Sequence, residues 1–134
     1  MRKKRVLVVE DNELNRELLC QILSQEYDVI EAENGQVALE ILKEHKNSIS
    51  LIFLDVVMPV MDGYTFLNRL RSDSSMSFIP VVVTTQSSSE EDEVNALSHG
   101  ATDFVPKPYR PQIILHRAAN LIELRENAAM VNQF

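Results

Sequence analysis

The stretch Ile49-Ser-Leu-Ile-Phe-Leu-Asp55 decides the fold of this chain. The residues before Asp55 are almost all apolar over a strand-like length, as expected for a strand that helices cover on both faces of a parallel sheet. Outward from it, four more short apolar runs alternate with amphipathic segments, which is typical of βα units. The predicted strands are residues 5–9, 28–32, 49–54, 81–84 and 103–105. The sequence therefore predicts an α/β fold with a five-stranded parallel sheet and helices on both faces, and the more mixed segment 28–32 suits an edge.

Amphipathic segments between the strands predict the helices. The first carries Leu14, Leu18 and Ile22 at a spacing of four residues, which predicts that these side chains face the core together with Leu19 and Leu23. In the second helix, Asn34 is a good N-cap residue. At the far end of the fourth, Gly100 is suited to the position just after a helix.

The last helix begins near Arg110 and keeps an apolar spacing of three and four residues almost to Phe134. Two arrangements are open: the helix packs on its own sheet throughout, or its last turns project as a linker or coiled-coil seam. Because about 18 residues are enough to cover one face of such a domain, the second arrangement is favoured. We therefore expect a domain over residues 1–122 and a helical extension over residues 123–134, leading to an output domain outside this chain.

Length and charge exclude several classes of protein. The 134 residues suit one domain, and 13 Lys and Arg against 20 Asp and Glu give a net charge of −7. That balance argues against direct nucleic-acid binding, which needs clustered cations. No apolar run approaches the length of a membrane span, and the single cysteine, Cys20, has no partner for an intramolecular disulfide. We expect a cytoplasmic protein that does not bind membranes.

Polar residues follow the predicted strands where each strand ends. Glu10 and Asp11 follow the first strand, Asp55 the third, Thr85 the fourth and Lys107 the fifth. In an open parallel sheet the carboxyl ends of the strands lie along one edge, and ligands bind there. We therefore expect these side chains to form one site.

The charges of this site indicate what it binds. Three carboxylates contribute −3 and Lys107 contributes +1, which leaves −2 in a small volume. A hard divalent cation such as Mg²⁺ balances that charge and prefers carboxylate oxygens. Mg²⁺ beside a free carboxylate, a hydroxyl and a lysine suits phosphoryl transfer, and an attacking Asp would form an acyl phosphate.

These residues resemble the receiver domain of two-component response regulators. The resemblance rests on Val6-Leu-Val-Val-Glu-Asp-Asn12, Asp55-Val-Val-Met-Pro-Val-Met-Asp-Gly63, Thr85 and Lys107-Pro108, in the family's order and spacing over about residues 4–122. It implies a flavodoxin-like fold with strand order 2-1-3-4-5. It also implies a signalling module that takes a phosphoryl group from a sensor histidine kinase or phosphotransfer protein and catalyses only its own phosphorylation and dephosphorylation.

The resemblance assigns roles around a magnesium ion. It makes Asp55 the phosphoacceptor and a metal ligand, Asp11 a direct ligand and Glu10 a ligand acting mainly through water. The backbone carbonyl of Val57 would complete the protein ligands.

The resemblance also implies a switch. Thr85 and Lys107 would each bind a phosphoryl oxygen, and Phe104 falls on the family's switch aromatic. Phosphorylation would draw Thr85 inward, move Phe104 and rearrange the face of the fourth helix, fifth strand and fifth helix, where an output domain, a partner or a second copy of the chain would bind. The Lys107–Pro108 peptide bond is expected to be cis.

Three positions bear on the phosphoryl lifetime. Gln86 stands where the family usually has a small residue, which predicts narrower access to the phosphoryl group. Val57 cannot position an attacking water through its side chain, and Ser87 is a weak substitute. We therefore expect a rather long-lived acyl phosphate.

Two other classes compete with a phosphorylated switch. A dinucleotide- or flavin-binding enzyme would need a glycine-rich loop after the first strand, and the segment 10–14 has no glycine. A phosphatase with an Asp nucleophile would need an acid two residues after Asp55, where Val57 stands. A receiver-like domain that only binds partners remains, and the complete set of pocket residues argues against it.

Overall fold

The computed structural model describes residues 3–58, 60–85 and 90–131, with side chains up to residue 127. Strands and helices alternate along the chain: β1 (Arg5–Val9), α1 (Glu13–Leu23), β2 (Asp28–Ala32), α2 (Gly35–His45), β3 (Ile49–Asp55), α3 (Gly63–Ser72), β4 (Val81–Thr85), α4 (Glu90–Ser98), β5 (Asp103–Pro106) and α5 (Pro111–Val131). Each predicted strand is confirmed, and three of them extend one residue further than predicted.

The five strands form one parallel sheet in the order β2-β1-β3-β4-β5. This confirms the α/β, flavodoxin-like topology, and β2 lies at an edge as its mixed sequence predicts. The central strands β1, β3 and β4 are buried almost throughout, because helices cover both faces. The order of strands reverses between β1 and β3, which places a binding crevice at their carboxyl ends.

Two apolar cores lie on opposite faces of the sheet. What we call the α1/α5 core contains Leu19, Ile22 and Leu23 of α1 and Ile114, Ala118 and Ile122 of α5, with Val6, Val8, Phe53 and Val82 from the strands. What we call the α2/α3/α4 core contains Leu42, Phe66, Leu70 and Ala96, with Val9, Leu54 and Val83 from the strands. Side chains alternate between faces along a strand, so this division fixes the side from which each site residue approaches.

The predicted core face of α1 is partly wrong. Leu14 is 74% exposed and Leu18 is 43% exposed, whereas Leu19, Ile22 and Leu23 are buried. A step of four residues advances about 40° around a helix beyond a full turn. The buried stripe is centred near Leu19, between Ile22 and Leu23. Leu14 and Leu18 lie to one side of it, although their spacing of four residues from Ile22 suggested one continuous face.

The last helix stays against the domain well past its first turns. Arg125 donates a hydrogen bond to the carbonyl of Ile49 at 3.0 Å, and its guanidinium lies 4.4 Å from the centre of the Phe78 ring. The next residue, Glu126, forms an ion pair with Lys4. Residues 125 and 126 thus contact the amino-terminal edge of the sheet. In the part of the chain that the structure describes, no helix has both the length and the apolar character to span a membrane.

Candidate functional site

Three carboxylates meet at the carboxyl ends of β1 and β3. Oxygen atoms of Glu10, Asp11 and Asp55 all lie within 4.8 Å of one another. Glu10 is 1% exposed and Asp55 is 5% exposed, while Asp11 stands at the surface. Glu10 and Asp55 continue the alternation of Val8 and Phe53, so both approach from the α1/α5 side of the sheet. The predicted convergence of the acidic residues is confirmed.

Lys107 lies between the two buried carboxylates. Its Nζ is 2.8 Å from Oε1 of Glu10 and 3.5 Å from Oδ1 of Asp55. The Lys107 backbone N–H donates to the carbonyl of Thr85 at 2.7 Å, which continues the pairing of β4 with β5. The Lys107–Pro108 peptide bond is cis, as predicted. In the resting geometry the ammonium therefore binds Glu10 more closely than Asp55.

The pKa values of the two buried carboxylates are shifted in opposite directions. Burial, reinforced by the hydrogen bond and charge of Glu10, raises the pKa of Asp55 from 3.8 to about 8. Burial by itself would raise the pKa of Glu10 too, but hydrogen bonds with Asp55 and Lys107 outweigh it and leave that pKa below its usual value. Close carboxylates disfavour each other's ionised form, and the charge of Lys107 offsets this only in part for Asp55. Burial and Glu10 therefore favour the protonated form of Asp55 in the metal-free site.

The loop after β1 is fixed by hydrogen bonds. Asn12 caps α1 by accepting from the Asn15 backbone N–H at 2.9 Å. Arg16 donates to the carbonyl of Glu10 at 2.9 Å and forms an ion pair with Glu31 at 3.3 Å. These contacts hold Asp11 at the mouth of the site, between Glu10 and the start of the helix.

The loop after β3 turns tightly next to Asp55. The Val57 backbone N–H lies 3.4 Å from Oδ1 of Asp55, and the Val57 side chain is 77% exposed. Gly63 donates to the carbonyl of Val56 at 3.0 Å. A Cβ at Gly63 would lie 2.5 Å from Cα of Val56 and 2.7 Å from the carbonyl oxygen of Asp55. Only glycine allows α3 to begin this close to the site.

Thr85 and Phe104 lie on the opposite side of the sheet from Glu10. Thr85 is buried and continues the face of Val83, and Phe104 is half-buried against the α2/α3/α4 core. Both line a cavity of about 510 Å³ that also reaches Asp55 and Lys107. The predicted switch pair therefore borders the acidic residues. Gln86 and Ser87, on which the expectations about access and attacking water rest, lie outside the described residues.

Sequence reasoning missed one residue of the site, Tyr109. The buried Tyr109 hydroxyl lies 3.4 Å from Oε1 of Glu10 and 3.3 Å from Oγ1 of Thr84. Thr84 in turn lies 3.5 Å from the carbonyl of Leu54. No local pattern indicated Tyr109, because its hydroxyl contacts Glu10, which lies 99 residues earlier in the chain.

The cavity continues from the acidic residues toward α4. Tyr64 of α3 and Asp92 and Asn95 of α4 line this part. The Tyr64 ring stacks on His99 with ring centres 4.4 Å apart. The first turns of α3 and the end of α4 are thereby joined beside the site.

This arrangement suits a hard cation and an anionic group together. Clustered carboxylate oxygens are the donors that Mg²⁺ prefers, so the residues fit the ion. Lys107 supplies a positive charge beside Asp55, and Thr85 lines the same cavity. A carboxylate flanked by a cation site and a lysine is the layout expected for accepting a phosphoryl group.

Comparison with known proteins identifies close relatives of this chain. The family model described as "Response regulator receiver domain" matches residues 6–119. The chain is 35% identical to histidine kinase P4 of Formosa agariphila over 92% of its own length and 9% of the relative. It is 36% identical to a probable cyclic di-GMP phosphodiesterase of Vibrio cholerae over 96% of its own length and 29% of the relative. The chain thus spans less than a third of either of these curated relatives.

A solved structure gives a match over nearly the whole of both chains. The signal receiver domain of a signal transduction histidine kinase from Syntrophus aciditrophicus is 32% identical, with a TM-score of 0.80. The match covers 90% of this chain and 90% of that one.

Proposed function

The chain belongs to the response regulator receiver domain family of two-component signalling, and from that membership we propose that Asp55 accepts a phosphoryl group in the presence of Mg²⁺. One observation carries this assignment: Asp55 is buried, lies within 4.8 Å of two other carboxylates and has Lys107 within 3.5 Å. Receivers are in general signalling modules, and we propose that self-phosphorylation and slow hydrolysis are the only reactions of this one.

In the transfer, an oxygen of Asp55 attacks the phosphorus of a phosphohistidine on a sensor kinase or phosphotransfer protein. The new O–P bond forms as the P–N bond breaks, and the imidazole nitrogen keeps the electron pair of that bond. Asp55 must first release the proton that its raised pKa retains. Lys107 then supplies positive charge to the added phosphoryl oxygens.

Glu10, Asp11, Asp55 and the carbonyl of Val57 would hold the Mg²⁺ ion. When bound, the ion neutralises charge on the carboxylates and on the phosphoryl group. Binding also removes the reason for Asp55 to stay protonated, since a cation compensates the repulsion from Glu10.

Thr85 would bind a phosphoryl oxygen, and Phe104 would move with it. Both border the cavity that contains Asp55, and Phe104 is only half-buried, so its ring has room to change position. The face formed by α4, β5 and α5 would change with them, and we propose that this face contacts an output domain, a partner or a second copy of the chain.

Residues 123–134 would link the receiver, over residues 1–122, to an output domain. Arg125 and Glu126 hold the first part of this segment against the base of the sheet, and Leu124 is 62% exposed. We place the protein in the cytoplasm, where its kinase would be phosphorylated. Light scattering with and without beryllofluoride tests for a dimer.

The test is the intact mass after incubation with Mg²⁺ and acetyl phosphate. We expect one added phosphoryl group, which is absent without Mg²⁺ and absent in Asp55→Asn. Asp28→Asn is the matched control, because Asp28 is an exposed aspartate at the start of edge strand β2. An adduct that persists in Asp55→Asn would disprove the assignment. A chain that binds neither Mg²⁺ nor beryllofluoride would instead be a receiver fold that only binds partners.

A further inference from the structure

Tyr109 is the buried residue of the site to which neither the resemblance nor the proposed function gives a role. Its ring packs in the α1/α5 core, on the face of the sheet opposite Phe104. Its hydroxyl stands between two acceptors, 3.4 Å from Oε1 of Glu10 and 3.3 Å from Oγ1 of Thr84. Both distances exceed roughly 2.7–2.8 Å, the most common donor–acceptor distance of an O–H···O hydrogen bond. The hydroxyl is therefore close to both acceptors without being fully bonded to either.

Lys107 binds the same Glu10 oxygen that the Tyr109 hydroxyl faces. The same oxygen, Oε1, already accepts a hydrogen bond from Nζ of Lys107 at 2.8 Å. The Lys107 ammonium is also 3.5 Å from Asp55. Lys107 is thus the strong donor to Glu10 at rest, and it is within reach of the group that would be phosphorylated.

A phosphoryl group on Asp55 changes this balance. It places nearly two negative charges and strong acceptor oxygens next to Lys107, in place of the carboxylate of Asp55, and these draw the ammonium away from Glu10. The ion that Glu10 would help to hold compensates its charge, but Oε1, the oxygen that accepts from Lys107, would lose that donor in a site where Glu10 is only 1% exposed. A buried carboxylate that loses its donor is destabilised.

We propose that Tyr109 is a positioning residue that donates a hydrogen bond to Glu10 when Lys107 turns toward a phosphoryl group on Asp55. The inference rests on the proposed function of Asp55. The hydroxyl needs to move by about half an ångström to reach hydrogen-bonding distance of Oε1. Tyr109 then keeps Glu10 oriented in the phosphorylated state, and it does so from the α1/α5 side of the sheet.

The test compares Tyr109→Phe with Thr84→Val. The first variant removes the hydroxyl and keeps the buried ring, and the second removes the other acceptor of the same hydroxyl with little change in volume. Calorimetry measures the Kd for Mg²⁺ alone and the Kd for beryllofluoride, a phosphoryl analogue, at saturating Mg²⁺. For Tyr109→Phe we expect beryllofluoride to bind about 3- to 10-fold more weakly and Mg²⁺ to bind within about 2-fold of the native protein. Thr84→Val is expected to stay within about 2-fold in both.

Three results would overturn the inference: unchanged beryllofluoride binding in Tyr109→Phe, an equal loss in Thr84→Val, or an equal loss of Mg²⁺ and beryllofluoride affinity in Tyr109→Phe. The last result would mean that Tyr109 acts on the resting site. Failure of the native protein to bind Mg²⁺ and beryllofluoride would remove the proposed function and this inference together. If the native protein binds both normally and Tyr109→Phe binds beryllofluoride with an unchanged Kd, only this inference fails.

Discussion

Gly63→Ala is expected to destabilise the protein strongly, and Gly35→Ala offers a closely matched control. Both glycines are the first residue of a helix and follow an N-cap side chain, Asp62 before α3 and Asn34 before α2. A Cβ at Gly63 would lie 2.5 Å from the backbone Cα of Val56, whereas at Gly35 it would lie 3.1 Å from the flexible side chain of Met61. The two substitutions therefore share their helix-propensity gain and differ in what the methyl group meets.

The magnitude follows from this contact. The Val56 backbone or the start of α3 must shift by about 1 Å. Because backbone cannot rotate away as a side chain can, this overpacking costs roughly 3–4 kcal/mol, at or just above the top of the usual range. The alanine gains back up to about 1 kcal/mol in helix propensity, in Gly63→Ala and Gly35→Ala alike. We expect Gly63→Ala to lower the free energy of unfolding by about 2–3 kcal/mol, or the Tm by roughly 7–10 °C. For Gly35→Ala we expect a change within about 1 kcal/mol.

Thermal and urea unfolding of the two variants measure the difference. Mg²⁺ affinity provides a second readout, because the displaced backbone carries Asp55, and we expect it to fall in Gly63→Ala only. A Tm for Gly63→Ala within about 3 °C of that for Gly35→Ala would refute the close backbone contact and the reasoning built on it.

Four further predictions concern charge, backbone strain and the last helix. The pKa of Asp55 is raised from 3.8 to about 8, so between these pH values the metal-free folded state binds a proton that the unfolded state releases. The free energy of unfolding should therefore fall as pH rises from about 4 to 8. Asp55→Asn should remove this part of the pH dependence in urea titrations. The same proton must leave when Mg²⁺ binds, so calorimetry in buffers of different ionisation enthalpy should detect proton release at pH 7. The Mg²⁺ affinity should rise up to about pH 8. Binding without proton release would contradict the raised pKa of Asp55. Val60 is β-branched, 81% exposed and in the left-handed region, with a φ of 68°. Val60→Asn should therefore raise the free energy of unfolding by roughly 0.5–1 kcal/mol. The similarly exposed control, Val57→Asn, should not raise it. Arg125→Met should lower the free energy of unfolding in urea by about 1–2 kcal/mol, because it removes the hydrogen bond to Ile49 and the contact with Phe78. The control, Arg117→Met, breaks an ion pair with Asp103 and should lower it by under about 0.5 kcal/mol. Equal effects would mean that α5 is not held at Arg125.

The sequence predicted the strands well because each is short, apolar and bounded by polar residues. The helix ends were also predictable from neighbouring residues: Asn34 accepts from the Val37 N–H at 2.9 Å, and Gly100 has the positive φ of 105° that ends α4. The face that α1 buries was not predictable in this way. Leu14 and Leu18 have the apolar character of core residues, and only the docking of α1 against the sheet and α5 decides that they remain exposed.

The same distinction between local sequence and distant contacts applies to the site. The sequence by itself determined that Glu10, Asp11, Asp55, Thr85 and Lys107 come together, because parallel strands carry whatever follows them to one edge of the sheet. Only the tertiary structure decided that Lys107 binds Glu10 more closely than Asp55, that burial raises the pKa of Asp55, and that the Tyr109 hydroxyl lies between Glu10 and Thr84. These properties depend on distances of a few tenths of an ångström and on burial from both faces. Residues far apart in the chain set them jointly, and no spacing in the sequence records them.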